Sequence, residues 1–333
     1  MINIGIIGMG TRGQIYAETI KQSEHAVVAA ITDISNESLE LNTKKFNTKG
    51  YTDFEEMFEQ EELDAVIVAT PDFLHKEPVV LAAEKGVHIM VEKPFSTDLK
   101  EAAEMVKVIR QNGVKCLVGF ENRWNSPFVA VKEAIDNGEL GEINALNSRL
   151  NDSIYVPTKM LGWSLNSTPG WFLLSHSIDL ACWLKNINPV SVFAVGTRKK
   201  LVSMGIDTYD SIQATVTFSD NTHATFTSSW ILPENMPLLY DFKYEIIGEN
   251  GSLHVDLHDQ MVKKAAKSYE HLHTLGTPID GRLTSAPSQM LISFIENILY
   301  DAEPIAGPEE GLLNTKIVSA LHKSIKEGKI QEI

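Results

Sequence analysis

Cysteine is nearly absent from this 333-residue chain: there are two, Cys116 and Cys182, each inside an apolar string. Two such residues build no disulfide framework, so a reducing cytoplasm is the expected home. No metal site is expected. Basic charge is also scarce. Lys and Arg number 29 against 44 Asp and Glu, a formal charge of −15, and Lys44-Lys45 and Lys199-Lys200 are isolated pairs. Nucleic-acid surfaces rely on clustered cations, so that class of partner is excluded. No apolar run approaches the ~20 residues that span a bilayer, which argues against a membrane partner. The first residues carry no basic stretch before a cleavable apolar segment, because a strand pattern begins at once. What remains is ordinary globular composition, 43% hydrophobic and 22% charged, in a chain long enough for two domains with a core each.

The opening residues carry the sharpest signal. Ile4-Gly5-Ile6-Ile7 runs into Gly8-Met9-Gly10-Thr11-Arg12-Gly13, a G-x-G-x-x-G turn between a first strand and a helix-compatible stretch. Asp33 closes the next apolar run, Val27–Thr32. Strand, helix and an acid about 20 residues on make this the dinucleotide fingerprint. Gly8 permits the tight turn, Gly10 lets backbone approach a pyrophosphate, and Gly13 lets helix and strand pack closely. The helix N-terminus offers N–H groups to phosphate, and Asp33 can accept from ribose hydroxyls. Ile34 and Ser35 follow Asp33 with no Arg beside it. A 2′-phosphate would be repelled there, so NAD is expected over NADP. Arg12 keeps NADP possible, because it could reach the adenosine side.

Through residue 121 the pattern alternates strand and helix. Strands are predicted at Asn3–Ile7, Val27–Thr32, Ala65–Ala69, His88–Val91 and Lys115–Val118. Helices fall near Gly13–Gln22, Asn36–Phe46, Asp53–Glu59, Lys76–Lys85 and Leu99–Gln111, with stops at Gly86 and Gly113 and a cap at Thr97 or Asp98. Such alternation specifies an α/β domain with a parallel, doubly wound sheet over residues 1–121. From residue 122 to 333 the grammar changes to α+β. One helix, Pro127–Asn137, precedes strands at Ile143–Leu150, Ser191–Val195, Ile212–Phe218, His223–Trp230, Tyr244–Ile247 and Ser252–Val255, and two helices near Ser288–Tyr300 and Glu309–Lys326 close the chain. Thr215, Thr217, Thr225 and Thr227 alternate with apolar residues, the mark of a mainly antiparallel sheet with one solvated face.

Several motifs along the chain resemble the glucose–fructose oxidoreductase, inositol dehydrogenase and MocA-like family. They are Ala69-Thr70-Pro71-Asp72-Phe73-Leu74-His75, Gly86–Val91 leading into Glu92-Lys93-Pro94, Gly119–Asn125, Gly138–Ile143 and His176-Ser177-Ile178-Asp179-Leu180. Glu-Lys-Pro after a strand is the most specific of them. The resemblance covers nearly the whole chain. It implies an N-terminal Rossmann domain, a C-terminal domain for substrate binding and oligomerisation, and an NAD(P)-dependent oxidoreductase of sugars, polyols or inositols. It also implies a homodimer or homotetramer joined through the sheet.

Hydride transfer needs a group to take the hydroxyl proton as a carbonyl forms, and a donor on the reacting oxygen. Lys93 follows the fourth predicted strand, at the sheet edge where such folds bind ligands, and a desolvated lysine can exchange protons near neutrality. A Lys93-Pro94 bond at a sharp turn is a candidate for the cis form. His176 and Asp179 lie one helical turn apart; the resemblance implies a histidine at the substrate oxygen and an aspartate on substrate hydroxyls. Many relatives carry an aspartate four residues before that histidine, where this chain has Phe172. Trp163 and Trp171 are candidate platforms for a sugar ring, and Asn122 and Arg123 candidate partners for its hydroxyls. The resemblance also implies that Thr70, Pro71, His75 and Glu92 join the candidate cofactor site. Two alternatives stay open: a non-catalytic dinucleotide-binding regulator, and a redox-neutral glycosidase with tightly held NAD.

Overall fold

The computed structural model describes residues 1–265, 269–272 and 274–333. Contacts divide the chain into two units: unit 1, Met1–Trp124 with Gly276–Thr315, and unit 2, Asn125–Leu275 with Lys316–Ile333.

Unit 1 begins with β1 (Ile2–Ile7), α1 (Thr11–Lys21), β2 (Ala26–Thr32), α2 (Asn36–Phe46), β3 (Lys49–Tyr51) and α3 (Phe54–Gln60). It continues through β4 (Ala65–Val68), α4 (Lys76–Glu84), β5 (His88–Glu92), α5 (Leu99–Asn112) and β6 (Cys116–Gly119). The six strands are parallel, in the order β3-β2-β1-β4-β5-β6. The order reverses between β1 and β4, and ligand crevices form at the carboxyl ends of strands at such a point. β4 reads Ala-Val-Ile-Val with every residue buried, as a strand covered on both faces requires. Local signals set the helix ends. Ser35 caps α2 by accepting from Ser38 N–H, and Asp98 caps α5 by accepting from Lys100 and Glu101 N–H. Gly113, at φ 63°, ends α5 in the left-handed region.

Strand β3 lies outside the sequence expectation. Its three residues, Lys-Gly-Tyr, have no apolar alternation, and pairing with β2 is what makes them a strand.

Unit 2 contains α6 (Ser126–Asp136), β7 (Ile143–Ser153), α7 (Ser175–Lys185), β8 (Pro189–Thr197), α8 (Lys200–Ser203), β9 (Ser211–Phe218) and β10 (His223–Leu232). Then come β11 (Tyr240–Gly248), β12 (Ser252–Asp256), β13 (Lys263–Ala265) and β14 (Tyr269–His271). After α9 (Ala286–Leu299) and α10 (Pro308–Glu327), β15 (Gln331–Glu332) completes a seven-stranded sheet ordered β12-β11-β7-β10-β9-β8-β15. All its pairs are antiparallel except β7 with β10, which run parallel. In β10, Ala224, Phe226, Ser228 and Trp230 are buried, while Thr225 and Thr227 lie on the more accessible face.

The division at residue 121/122 needs one correction. Gly276–Thr315 belongs to unit 1, because α9 turns Met290, Leu291, Phe294 and Ile295 into the same core as Ile4, Ile6 and Ile67. An amphipathic helix announces its apolar face in sequence but not which sheet it will cover.

Candidate active site

The glycine turn has the geometry its spacing specifies. Gly8 sits at φ +94°, and a Cβ there would meet Ala69 O at 2.6 Å; a Cβ on Gly13 would meet Gly8 O at 2.0 Å. Both glycines are therefore required by backbone approach. Gly10 differs: a Cβ there would meet nothing within 4 Å. Gly10 is also the N-cap of α1, so the first N–H groups of the helix have no side-chain cap. Asp33 Oδ2 accepts from Met9 N–H at 2.8 Å, and Oδ1 from Ser35 N–H at 2.9 Å. That fixes its carboxylate at the end of β2. The Met9 side chain is buried in the core, so only its backbone takes part. Thr11 is exposed.

Lys93 follows β5 and is 8% exposed; the Lys93-Pro94 peptide is cis. Lys93 N–H donates to Glu92 Oε2 at 3.2 Å. Glu92 Oε1 accepts from the Tyr16 hydroxyl of α1. From the same helix, one turn earlier, Arg12 brings Nε to 3.6 Å from Glu92 Oε1 and donates from Nη2 to Glu121 Oε1 at 2.6 Å. Gly119 lets β6 lie against this turn, since a Cβ there would come within 3.0 Å of Glu92 Cα and 3.1 Å of Lys93 N. Burial pushes the Lys93 amine below its ordinary value, against the pull of Glu121 and Glu92 and with help from Arg12. Burial also disfavours the Arg12 charge, but Glu121 and Glu92 outweigh it and hold the guanidinium above its ordinary value. The Tyr16 phenol rises well above its usual range through burial and the Glu92 charge.

Three candidate residues of unit 1 have partners within the protein. His75 is 1% exposed, with Nδ1 2.9 Å from Pro94 O and Nε2 3.1 Å from Thr70 O. Its ring ties the loop after β4, with Thr70 and Pro71, to the turn after β5; burial lowers its pKa against the opposing charge of Asp72. Arg12 is committed to the two glutamates. Arg123, 5% exposed, donates to Ile305 O and lies over the Phe120 ring, which makes it a clamp within unit 1. Asn122, beside it in the short 3-10 turn Glu121–Trp124, is half-buried.

In unit 2 a π-helical turn, Gly170–Leu174, leads directly into α7. His176 is half-buried and Asp179 buried, one turn apart on α7. Ser177 between them is anchored: its Oγ accepts from Ser148 Oγ at 3.0 Å and its carbonyl from the Tyr244 hydroxyl at 3.1 Å. Phe172 packs its ring 6.0 Å from Trp163 and 5.7 Å from Trp230. Trp171 departs from the platform role, because it is buried and stacks on His322 of α10 at 5.2 Å. Residue by residue, the sequence missed Tyr16 and Glu121. The usable signal for Tyr16 was its position four residues after Arg12, which puts both on one side of α1. Among the described residues no cluster of three or more His, Cys, Asp or Glu is arranged to hold a metal. No helix among them is long and apolar enough to cross a membrane.

Comparison with known proteins agrees with this geometry. A family model described as the oxidoreductase family with an NAD-binding Rossmann fold matches residues 2–120, and the GFO/IDH/MocA C-terminal domain matches residues 128–254. The myo-inositol 2-dehydrogenase of Thermotoga maritima is 26% identical over 339 residues, covering 98% of this chain and 97% of the relative. A 2,7-anhydro-N-acetylneuraminate hydratase of Mediterraneibacter gnavus is 28% identical over 265 residues, covering 78% of this chain and 68% of the relative. Among solved structures, scyllo-inositol dehydrogenase from Lactobacillus casei with bound NAD(H) and scyllo-inositol has the same fold. Its TM-score is 0.84 at 22% identity, over 100% of this chain and 99% of that one.

Proposed function

The chain belongs to the GFO/IDH/MocA family of NAD-binding oxidoreductases, and from that premise we propose that it moves a hydride between NAD and a hydroxyl carbon of an inositol, polyol or sugar. The residues present fit the coenzyme. The open space at Gly10 and the uncapped start of α1 suit a pyrophosphate, and the pinned Asp33 carboxylate suits a ribose without a 2′-phosphate. NAD supplies, when bound, the acceptor for the carbon-bound hydrogen with its electron pair.

The observation that carries the reading is Lys93: a buried amine with a pKa lowered by burial, at the carboxyl end of a parallel strand, whose backbone N–H is held by Glu92. In the oxidative direction the neutral amine takes the hydroxyl proton while the carbonyl forms, and the ammonium returns it in the reductive direction. His176 orients the substrate oxygen and Asp179 accepts from substrate hydroxyls. Within unit 2, the Phe172 ring packs with Trp163 as an apolar surface suited to the C–H faces of a polyol. Substrate identity draws on the names of the relatives, and dehydrogenase homologues spanning both chains end to end favour net oxidation.

A panel of inositols, polyols and aldoses with NAD, followed by nicotinamide absorbance, tests the reading. Net NADH with at least one member supports it. Bound coenzyme with no net NADH favours the second reading, redox-neutral chemistry, which has the hydratase relative as its support. We further place the protein in the cytoplasm as a homodimer or homotetramer joined through the open, threonine-rich face of the unit 2 sheet. A monomer by light scattering at micromolar concentration contradicts that assembly.

A further inference from the structure

Lys93 is surrounded from several elements. Glu92 precedes it on β5, Glu121 stands on the turn after β6, and Asp72, 3% exposed, on the loop after β4. Burial favours the neutral amine while the three carboxylates pull it back toward ammonium, and an amine that never lets go of its proton cannot act as a base. Helix α1 answers them. Arg12 lies 3.6 Å from Glu92 Oε1 and 2.6 Å from Glu121 Oε1, and Tyr16, one turn on and fully buried, donates to that same Glu92 oxygen. Only 31% of the Arg12 side chain and 8% and 11% of the two glutamate side chains remain accessible, so water screens these charges weakly.

We propose that Arg12 is a positioning residue for Lys93: bridging Glu92 and Glu121, it supplies the positive charge that leaves the Lys93 amine able to give up and retake a proton. Tyr16 assists by holding Glu92 in place. The arrangement gives the fifth residue of the glycine turn a task other than coenzyme contact. It also links the turn that receives the pyrophosphate to the group that handles the proton, through one helical turn of α1. The inference rests on the assignment of Lys93 as the proton-exchanging group.

The test reads the Lys93 amine directly. Trace acetylation of the intact protein at a series of pH values, with the Lys93 peptide quantified by mass spectrometry, gives the amine's titration midpoint without any turnover. Arg12→Met strips the cation and should raise the midpoint by about one to two pH units, with the labelling rate near neutrality falling about 10- to 100-fold. Arg12→Lys keeps a charge at that place and should restore at least half of the shift. Glu121→Gln removes an anion and should move the midpoint the other way, downward. Opposite signs from two partners of one ion pair are not what a merely structural role produces. If Arg12→Met does not fold, Arg12→Lys and Glu121→Gln still decide the matter. A midpoint unchanged in Arg12→Met, or one that moves upward in Glu121→Gln, overturns the inference. Shifts of the expected signs in a protein that oxidises no polyol would leave this inference standing and remove the proposed function. Normal turnover with immobile midpoints would do the reverse.

Discussion

Replacing Lys93 by Met keeps the unbranched stem that fills this 92% buried position and deletes only the amine. Glu92, Glu121 and Arg12 remain, so the pocket keeps its shape but has lost its proton acceptor. A well-placed acid–base group contributes about 10²–10⁴ in rate, which is about 2.7–5.4 kcal/mol of barrier at 1.36 kcal/mol per decade. kcat for polyol oxidation should fall by that factor. NAD affinity should stay within about threefold, because the Gly8–Gly13 cradle and Asp33 are untouched and lost transition-state contacts need not weaken ground-state binding.

pH gives a second reading. Oxidation needs the neutral amine, so the wild-type rate should rise with pH through a midpoint below 10.5, the side to which burial moves Lys93. The Met variant should lose that rise. Stability follows the same sign: between the lowered value and 10.5 the unfolded chain binds more protons than the folded one. Lys93's contribution to stability therefore increases with pH across that window, and the Met variant lacks the increase. Steady-state kinetics over pH, with NADH fluorescence titration for coenzyme binding, measures each quantity. Unchanged kcat, or a variant that keeps the alkaline rise, would refute the role given to Lys93.

Three further outcomes are expected. Asp33→Ser frees the ribose end of the cradle from its carboxylate, so the wild-type preference for NAD over NADP should shrink by about tenfold or more, about 1.4 kcal/mol, in kcat/KM; equal use of both coenzymes by the wild type would contradict it. His176→Ala should raise substrate KM more than it lowers kcat, the pattern of weakened binding, and the opposite split would make His176 the base. Phe294→Ala empties a fully buried position where α9 enters the unit 1 core, and should cost about 3–5 kcal/mol by denaturant unfolding; a cost under about 1 kcal/mol would separate α9 from that core.

Much of unit 1 was readable because its local signals agree with its global fold. Apolar strands, capping residues and glycine stops all mark the same boundaries: α5 falls on Leu99–Asn112, between its Asp98 cap and the Gly113 stop. β3 was hidden because three residues around Gly50 take their strand geometry from a neighbour. The return of α9 to unit 1 was hidden for a related reason: long-range packing chooses a partner that amphipathicity leaves open. In the glycine turn, the close backbone approaches at Gly8 and Gly13 were legible from spacing. Long side chains were not. Arg12, Arg123 and His75 each have a partner inside unit 1 that spacing does not announce, Glu121, Ile305 O and Pro94 O respectively. Trp171 was lost to His322 for the same reason. Charge and ring type say what a side chain can bind, and only the fold says what it has already bound.

The most direct measurement follows the hydrogen itself. The best substrate of the panel, deuterated at its hydroxyl-bearing carbons, is turned over with unlabelled NAD and the nicotinamide is analysed by mass spectrometry. Direct transfer predicts one deuterium per NADH formed, with the Met variant at Lys93 transferring it at the lowered rate. NADH without deuterium, or no net NADH from any substrate while NAD remains bound, would contradict the account.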